Sequence, residues 1–365
     1  MTGSGFDFSS LIDPIIFPQL VRDLVAEKFL NIQESLLGQL FTLVPNIKYK
    51  QQVGRINPDM GLMIGKAQQA CGTQVAQKID LTVNAQTWAP VPYQVELAMC
   101  YTDFISNLGA YELLLKTDRS KIDQTQIAAI YAQKVIDGYV LDTLRYVLLS
   151  DKSAANYNGS PAGVIKNGIS TLYFDKINGV FKLAETEIVS DAKRHTAITA
   201  DPNSQATYAL QDSVFTAQAG ADVLRDNYLA ADALMRAQDD IITICTDSVF
   251  TKYVKYISTI AVGVPITYEN YANGVRVAKV GLQTIFVLPQ LDRFLLAYQD
   301  SGSKVHNPHR VFTYSKSNVQ VGFSSANLTP QLETWYHQPT KEVGMRIEDA
   351  IDVQFAQTKL IQYAY

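Results

Sequence analysis

The last thirteen residues, "VQFAQTKLIQYAY" from Val353 to Tyr365, alternate apolar and polar side chains up to the end of the sequence. The alternation begins before this stretch, pauses at Gln357–Lys359 and resumes with Ile361, Tyr363 and Tyr365. A period of two residues is typical of a half-buried β-strand. Because chain ends fray unless a sheet or another element holds them, the pattern predicts a fold whose sheet includes the final strand.

The composition indicates a chain that covers much of its surface with other protein. Apolar residues make up 47% of the 365 residues, and charged residues make up only 18%, below the roughly 25% of average globular proteins. Twenty tyrosines and 15 phenylalanines favour the same interpretation, because aromatic residues are enriched at interfaces. The net charge of -4 and the dispersed lysines and arginines argue against a dedicated nucleic-acid-binding protein.

The cysteines and the N-terminal residues favour synthesis and folding in a reducing compartment. Cys71, Cys100 and Cys245 are far apart and odd in number, which favours buried thiols over disulfides or a zinc site. The sequence "MTGSGFDFSS" has no basic stretch followed by an apolar one, so we expect no signal peptide. No apolar run reaches the length of a membrane span, and we expect a soluble, intracellular protein with no membrane partner.

Several segments show helical periodicity. One helix is predicted from Leu20 to Leu40, ended by Pro45. A long helix is predicted from Gln124 to about Leu149, with Asp123 and Gln126 as its capping pair. It is apolar on several sides and should pack as a central spine. An Ala-rich helix over 214–238 and a further helix capped by Asp247 are also predicted.

Other segments indicate strands and turns. Residues 48–93 have the pattern of a long two-stranded hairpin. Such a hairpin needs a supporting partner, because isolated hairpins are marginally stable. Asn178-Gly179 between two apolar runs predicts a β-hairpin. "IITIC" at Ile241 predicts a buried strand, the stretch after Asn273-Gly274 predicts more strands, and residues 311–365 are expected to be mostly strand.

No motif for catalysis or cofactor binding is present. The sequence lacks a Gly-rich phosphate loop, the nucleophile elbow GxSxG and the HExxH zinc pattern. "HNPH" at His306 has no nearby ligand set, and adjacent carboxylates such as Asp239-Asp240 point to opposite faces of a strand. Trp88 before "APVPY" is predicted to be an anchor at a strand end or a subunit contact, in preference to a ligand-stacking residue.

The order of these segments resembles a known family. An N-terminal helical arm, a long glycine-bearing hairpin, a spine helix, a mixed α/β block and a terminal all-strand segment follow one another. The closing block "VFTYSKSNVQVGFSSANLTPQLETWYHQPTKEVGMRIEDAIDVQFAQTKLIQYAY", with a turn at Gly344, and the segment "IFVLPQLDRFLL" carry the resemblance most specifically. The chain resembles the major capsid protein of tailed double-stranded DNA bacteriophages, the Hong Kong 97-like fold.

The resemblance implies an α+β fold with four parts. Residues 1–47 would be an N-terminal arm that threads beneath a neighbour, and residues 48–95 an extended loop that lies on the adjacent subunit. Residues 96–154 and 311–365 would form a peripheral domain of spine helix and sheet, completed by the final strand. Residues 155–310 would form the axial domain. The assembly contacts implied by the resemblance and the composition are Lys50, Arg55, Lys66 and Trp88.

The function implied is structural. Copies of the chain would assemble through pentamers and hexamers into an icosahedral virion capsid that encloses double-stranded DNA without sequence specificity. Assembly would take place in the host bacterial cytoplasm, with a separate scaffolding protein and a portal, and without catalysis, cofactor or metal. One alternative is the shell protein of a bacterial nanocompartment, similar to encapsulins. Another is an α/β enzyme whose pocket combines His195 or His337 with a carboxylate.

Overall fold

The chain forms two β-sheets with helices packed on them, which confirms the predicted α+β fold class. The computed structural model describes residues 16–30, 34–53, 86–100, 124–157, 163–198, 202–260, 268–270, 274–280, 283–337 and 342–365. The described helices are α1 (Ile16–Leu30), α2 (Leu36–Leu40), α3 (Gln124–Leu149), α4 (Val180–Ser190), α5 (Tyr208–Val214), α6 (Ala217–Ala230), α7 (Ala233–Arg236), α8 (Asp247–Ile260) and α9 (Pro289–Tyr298). The described strands are β1 (Thr42–Val44), β2 (Val91–Cys100), β3 (His195–Thr196), β4 (Ile241–Thr246), β5 (Tyr268–Asn270), β6 (Arg276–Val280), β7 (Gln283–Leu288), β8 (Val311–Ser315), β9 (Val319–Phe323), β10 (Gln331–His337), β11 (Glu342–Phe355) and β12 (Ile361–Ala364).

The first sheet is built around β11, a strand of 14 residues. This strand pairs antiparallel with β10, β2 and β9, and β1 adds to β9 in parallel. Val343, Met345 and Ile347 alternate along β11 and are buried in the main hydrophobic core. The residues between them face the other way, so this part of the sheet has one core face and one polar face, as antiparallel sheets commonly do.

The second sheet has seven strands, in the order β3-β12-β8-β4-β7-β6-β5. The final strand lies here, between β8 and β3, and the expectation that it completes the sheet of the peripheral domain is wrong. It is also buried on both faces, since Ile361, Gln362 and Tyr363 are fully buried. The amide nitrogen of Gln362 donates a hydrogen bond of 2.9 Å to Thr196 Oγ1, which offsets part of the cost of burying this side chain, while its Oε1 has no partner among the described residues.

The spine helix α3 has the bounds predicted for it, Gln124–Leu149, and α1 packs along it. Phe17, Val21, Val25 and Phe29 recur every fourth residue of α1 and are fully buried in the subunit's own core. In the described residues 16–30 and 34–47 these side chains pack inside the subunit, and an arm beneath a neighbour stays a prediction. The predicted single helix is also two helices, α1 and α2.

The Asn178-Gly179 pair begins a helix and not a hairpin. Gly179 is the residue before α4, its φ is -76°, and its amide donates to Ser150 O. The sequence after it, "VFKLAETEIVS", buries Val180, Phe181 and Ala184, which lie on one helical face. The glycine is required by close approach, because a β-carbon at position 179 would lie 2.6 Å from the backbone oxygen of Val147.

We predict opposite stability effects for two glycine substitutions at the spine helix. Gly179→Ala should lower the free energy of unfolding by about 1–3 kcal/mol, because the backbone at the end of α3 must shift. Gly138→Ala, inside α3, has open space within 4 Å and should raise that free energy by up to ~1 kcal/mol. Urea unfolding of both variants tests this, and equal effects of the two would contradict the close-approach explanation.

The predicted strand-to-helix junction after "IITIC" is present as β4 followed by α8. The cap of this helix comes from a different residue than expected. Asp292, in the first turn of α9, accepts hydrogen bonds from the backbone amides of Asp247 at 2.7 Å and Ser248 at 3.4 Å. Asp247 instead forms an ion pair with Arg276 on β6.

The Ala-rich region predicted as one helix over 214–238 is interrupted twice. Thr216 caps α6 by accepting from the amide of Ala219, and Asp232 caps α7 by accepting from the amide of Leu234. Short polar side chains compete with helix propagation by bonding to nearby backbone groups. The two capping residues therefore divide the region into α5, α6 and α7.

The predicted strands after the second Asn-Gly pair are present as β6 and β7. Gly274 has φ +75°, a left-handed conformation that favours glycine, and it lies at the turn that connects β5 to β6. The base of the extended loop is antiparallel, because Gln52 bridges Thr87. Residues 54–85 lie outside the described residues, and the four-part domain division stays a prediction.

Candidate assembly surfaces

One face of the first sheet carries rows of polar residues that continue across three strands. In the β10–β11–β2 register, Glu333 lies opposite Arg346, which lies opposite Glu96. The neighbouring rows are Gln331, Glu348 and Gln94 on one side, and Trp335, Gly344 and Ala98 on the other. We call these nine positions the outer sheet face. All six of its positions on β10 and β2 are exposed, so this face is free in the isolated subunit.

The centre of the outer sheet face has an excess of negative charge. The guanidinium of Arg346 is 2.8 Å from Glu96 Oε1, 3.6 Å from Glu333 Oε2 and 3.7 Å from Glu348 Oε1. Three carboxylates around one guanidinium leave two negative charges. Because exposed ion pairs contribute little to stability, the main consequence of this row is a surface charge.

Trp335 is the large aromatic residue of this face, and 39% of it is exposed. Its ring lies over Gly344 so closely that a β-carbon there would be 2.2 Å from Trp335 Cε2. The guanidinium of Arg346 lies 5.8 Å from the ring centroid. Gly344 is thus a strand residue that makes room for an aromatic ring, and the prediction of a turn at this position is wrong.

A short basic turn, Lys48–Lys50, lies at the start of the extended loop. Lys48, Tyr49 and Lys50 are all exposed, Tyr49 at 69%, and the Lys50 ammonium lies 5.5 Å from the Tyr49 ring centroid. Lys50 has φ 63°, and its amide donates to the backbone oxygen of Trp88 at 2.9 Å. The turn therefore has a defined shape, and neither lysine forms an ion pair among the described residues.

The four predicted contact residues have different outcomes. Lys50 is exposed, and its contact role stays a prediction; Arg55 and Lys66 lie outside the described residues. Trp88 is only 2% exposed and packs with Ile47, Val53 and Ala356 inside its own subunit. Its side chain is the strand-end anchor, and it is not available for a subunit contact.

The second half of the chain exposes large apolar side chains on separate elements. Val189 at the end of α4 is 90% exposed, and Leu172 and Tyr173 are 63% and 64% exposed. The other members of this set are Tyr208, Leu210, Leu229, Ile260 and Leu296. The set is distributed over five helices and a loop and does not line one cavity.

A serine, a histidine and an aspartate come together at the start of α8, but their arrangement does not form a catalytic triad. Ser248 Oγ and His309 Nδ1 are 2.9 Å apart, and His309 stacks on Phe215 with ring centroids 3.9 Å apart. Asp292 accepts from backbone amides and does not orient the imidazole. His309 is 5% exposed, and burial lowers its pKa to about 4. The imidazole is therefore buried and neutral at physiological pH, and Ser248 is partly buried.

The other histidines are also dispersed. The His195 ring packs on Tyr365 at 4.5 Å between ring centroids, and His337 lies at the exposed end of β10. Burial lowers the pKa of His306 to about 3, so this residue is neutral at physiological pH. No group of three metal-ligating side chains occurs among the described residues. Within those same residues, no helix is both long and apolar enough to cross a membrane.

The outer sheet face is not predicted from the sequence. The available signal was "QLETWYH" in β10, where Gln331, Glu333, Trp335 and His337 alternate with partly buried residues. A tryptophan on the polar side of an alternating strand indicates an exposed aromatic residue. The partners Glu96 and Arg346 are 250 residues apart in sequence, so only the strand register brings them together.

Neither the protein-family models nor the curated proteins contain a match to this chain. Among solved structures, the chain is similar to a chain of the satellite phage P4 procapsid, with 10% identity, 93% and 96% of the two chains covered and a TM-score of 0.49. It is also similar to a chain of Gordonia phage Cozz, with 11% identity, 90% and 85% covered and a TM-score of 0.45. A third is the SrpI encapsulin complex from Synechococcus elongatus, with 7% identity, 90% and 85% covered and a TM-score of 0.44.

Phage capsids and an encapsulin are thus both among the solved structures to which the chain is similar. The likeness concerns the overall arrangement of the chain and does not say what the surfaces described above bind.

Proposed function

We propose that this chain is a structural protein that assembles with copies of itself into a closed shell, the head of a tailed bacteriophage. The observation that carries the proposal is the architecture. A spine helix of 26 residues packs on a sheet of long strands, a second α/β layer is joined to it, and an antiparallel base leads into the loop at Gln52 and Thr87. This is the arrangement that the resemblance of the sequence implies.

The exposed side chains of the subunit support the proposal that it assembles with copies of itself. Large apolar side chains such as Val189 and Leu172 are exposed on several separate elements, and the charged fraction of the chain is only 18%. A subunit that contacts several neighbours needs several such surfaces, whereas a pocket enzyme needs one concave site. The covered Ser248–His309 pair gives no reason to assign catalysis, and the proposal includes none.

The proposal extends to the symmetry, the content and the partners of the shell. The shell is built from pentamers and hexamers with icosahedral symmetry, and double-stranded DNA is enclosed without sequence-specific contacts. A net charge of -4 supports loose enclosure, because tight DNA binding requires clustered cations that release counterions. A separate scaffolding protein and a portal take part, and assembly takes place in the host bacterial cytoplasm before the protein becomes part of the virion.

The alternative within the same fold is a nanocompartment shell that encloses a cargo protein. Both assemble as shells, so particle shape does not separate them. The content of the particle does: a phage head contains genomic DNA, whereas a nanocompartment contains protein cargo.

Electron microscopy of the purified full chain tests the proposal. We expect closed shells, tubes or rings of five and six copies, with nuclease-resistant DNA only in particles from infected cells. Particles that contain a cargo protein and no DNA would favour the nanocompartment. A monomer or small oligomer at every concentration tested would contradict shell assembly altogether.

A further inference from the structure

The two sheets of the subunit are joined by an interrupted antiparallel ribbon. One strand of this ribbon runs from β8 in the second sheet to β9 in the first, and the other returns from β11 to β12. The pairs nearest to the crossing are Val319 with Phe355 in the first sheet and Tyr314 with Ile361 in the second. Between them the ladder stops, and residues 315–318 face the longer stretch 356–360. Unequal lengths of this kind form a bulge, which bends the strands.

The side chain of Asn318 fills the gap in this ladder. It is fully buried, and its amide bonds to the opposite strand as a backbone peptide group would. Asn318 Oδ1 accepts from the amide of Gln357 at 2.6 Å, and Asn318 Nδ2 donates to the backbone oxygens of Gln357 at 2.9 Å and Leu360 at 3.3 Å. The backbone oxygen of Asn318 also accepts from the amide of Ala356 at 2.9 Å. One residue therefore connects the two strands where their ladder is interrupted.

Asp240, which directly precedes β4, holds the same crossing from the second sheet. Its carboxylate accepts from the hydroxyl of Ser315 at 2.7 Å and from the amide of Ser317 at 2.8 Å. Its backbone oxygen accepts from the amide of Lys316 at 2.9 Å. From the first sheet, the hydroxyl of Thr42 on β1 donates to the backbone oxygen of Lys316 at 3.0 Å. The position of the crossing is therefore defined relative to both sheets.

These hydrogen bonds constrain the angle between the sheets in a way that apolar contacts do not. The main hydrophobic core extends across both sheets, and the ring centroids of Phe312 on β8 and Phe355 on β11 are 6.2 Å apart. Apolar burial is non-directional, whereas a hydrogen bond weakens steeply when it is misaligned. Rotation of one sheet against the other would misalign the bonds of Asn318. Buried backbone groups would then lose their partners, which is costly.

From this geometry we infer that Asn318 is a positioning residue that fixes the angle between the two sheets at one value. A second part of the inference rests on the proposed function. In a shell, neighbours contact both layers of the subunit, so this angle determines the curvature with which copies assemble. Loss of the Asn318 bonds leaves a folded subunit whose sheets adopt a range of angles, and such subunits form particles of mixed size or open sheets.

The test compares two buried asparagines. Asn318→Ala removes the side-chain bonds across the crossing. The matched control is Asn227→Ala on α6, where the side chain is also fully buried and donates to Thr313 Oγ1 at 2.8 Å and to the backbone oxygen of Gln362 at 3.4 Å. Both substitutions delete a buried amide, but the control deletes it between the second sheet and its helix. Thermal melting establishes that the variants are folded.

The angle is measured with two spin labels, one on each layer of the unassembled subunit. The labels are attached through Glu333→Cys, on β10 of the first sheet, and Lys255→Cys, on α8, which packs on the second sheet. Both positions are exposed. Cys71→Ser and Cys100→Ser leave the fully buried Cys245 as the remaining native thiol. Pulsed electron paramagnetic resonance then gives the distribution of distances between the labels.

We expect one narrow distance distribution for the parent chain and for Asn227→Ala, and a broadened or shifted one for Asn318→Ala. Hydrogen exchange of the unlabelled wild type provides a second measurement that requires no variant. The amide of Gln357 should exchange as slowly as the ladder amides of β11 and β12, because its acceptor is a fully buried side chain. In Asn318→Ala this exchange should accelerate about tenfold, which corresponds to the loss of one hydrogen bond.

Electron microscopy of assembled particles tests the consequence for the shell. The wild type and Asn227→Ala should give particles of one diameter, and Asn318→Ala should give mixed diameters or open sheets. If the wild type does not assemble, the proposed shell function fails, and the distance and exchange measurements still decide whether Asn318 fixes the angle. If the distances broaden while the particles keep one diameter, the role in curvature is wrong.

Three results would overturn the inference about the angle. The first is rapid exchange of the Gln357 amide in the wild type. The second is a distance distribution of Asn318→Ala that matches the parent chain in position and width. The third is equal broadening in Asn227→Ala, which would show that loss of any buried amide loosens the subunit. If Asn318→Ala does not fold, the exchange of Gln357 in the wild type decides the outcome.

Discussion

Removal of Leu360–Tyr365 is expected to abolish stable folding of the subunit before any assembly takes place. Leu360, Ile361 and Tyr363 are at most 1% exposed, and β12 lies between β8 and β3 inside the seven-stranded sheet. Burial of such side chains contributes roughly 1.5–3 kcal/mol each, so the loss is on the order of 5–9 kcal/mol. That approaches the whole stability of a typical protein, about 5–15 kcal/mol.

The truncation also has a structural consequence. Without β12, strand β8 loses its partner on one side and becomes an exposed edge, and exposed edges promote aggregation. The matched control is removal of Tyr365 alone. Tyr365 contacts Tyr363 and His195 at the border of the core but lies outside the strand pairing.

Expression of the two truncated chains, followed by thermal melting of the soluble fraction, provides the measurement. We expect aggregation or no cooperative transition for the chain that ends at Lys359, and a folded subunit for the chain that ends at Ala364. A cooperative transition of the shorter chain within a few degrees of the full chain would show that β12 is dispensable.

Acidification is expected to destabilise the subunit strongly through His309, which is buried, and His306, which is partly buried. Burial lowers the pKa of His309 to about 4 and that of His306 to about 3, from an ordinary value near 6.5. Lys252 adds to the shift of His309, and Arg310 and Lys304 add to that of His306.

The direction of this stability change depends on whether the folded or the unfolded state binds more protons. Below pH ~6.5 the histidines of the unfolded state become charged while those of the folded state stay neutral. The unfolded state therefore binds more protons, and the free energy of unfolding decreases as the pH is lowered. The loss continues down to the folded pKa values, near 4 and 3. At 1.36 kcal/mol per unit, each histidine contributes on the order of 3–5 kcal/mol.

Asp292 acts in the opposite direction. Burial raises its pKa to about 6, so the folded state binds its proton first as the pH falls from 6 towards 4. This proton uptake stabilises the folded state in that window by about 3 kcal/mol and offsets part of the loss caused by the histidines. The backbone amide and the hydroxyl of Ser248, the amide of Asp292 itself and the nearby Arg276 lower this pKa and limit its rise without reversing it.

Two variants separate these contributions. His309→Gln should flatten the fall in unfolding free energy between pH 6.5 and 4, and Asp292→Asn should make it steeper between pH 6 and 4. Urea unfolding of unassembled subunits at each pH provides the free energies, and the slopes with pH are compared instead of the absolute values. A His309→Gln slope equal to that of the wild type would show that His309 does not titrate as described.

The sequence by itself determined the elements whose signals are local. The spine helix has the bounds Gln124–Leu149 because its apolar periodicity extends over many turns. The buried strand β4, the helix that follows it and the strand-rich block after Val311 were likewise readable from short stretches. The interpretation of the low charge and the missing catalytic motifs as signs of a structural role stays a prediction.

Only the tertiary structure decided which elements meet. An alternating pattern shows that a strand has an apolar face, but it does not say which sheet the strand joins, and β12 pairs with β8 and β3 of the second sheet. Gly179 and Gly344 are glycines because a helix end and the Trp335 ring approach them from elsewhere in the chain. Pattern alone could not separate these close approaches from turns.

The outer sheet face was likewise decided by the tertiary structure. Glu96 and Arg346 form an ion pair across a separation of 250 residues, and Trp335 reaches the same face through the register of β10 on β11. Lys50 could be named as a candidate contact from the sequence because the resemblance placed it in the extended loop. The outer sheet face could not be named, because a row of side chains across three strands exists only once long-range pairing has set the register.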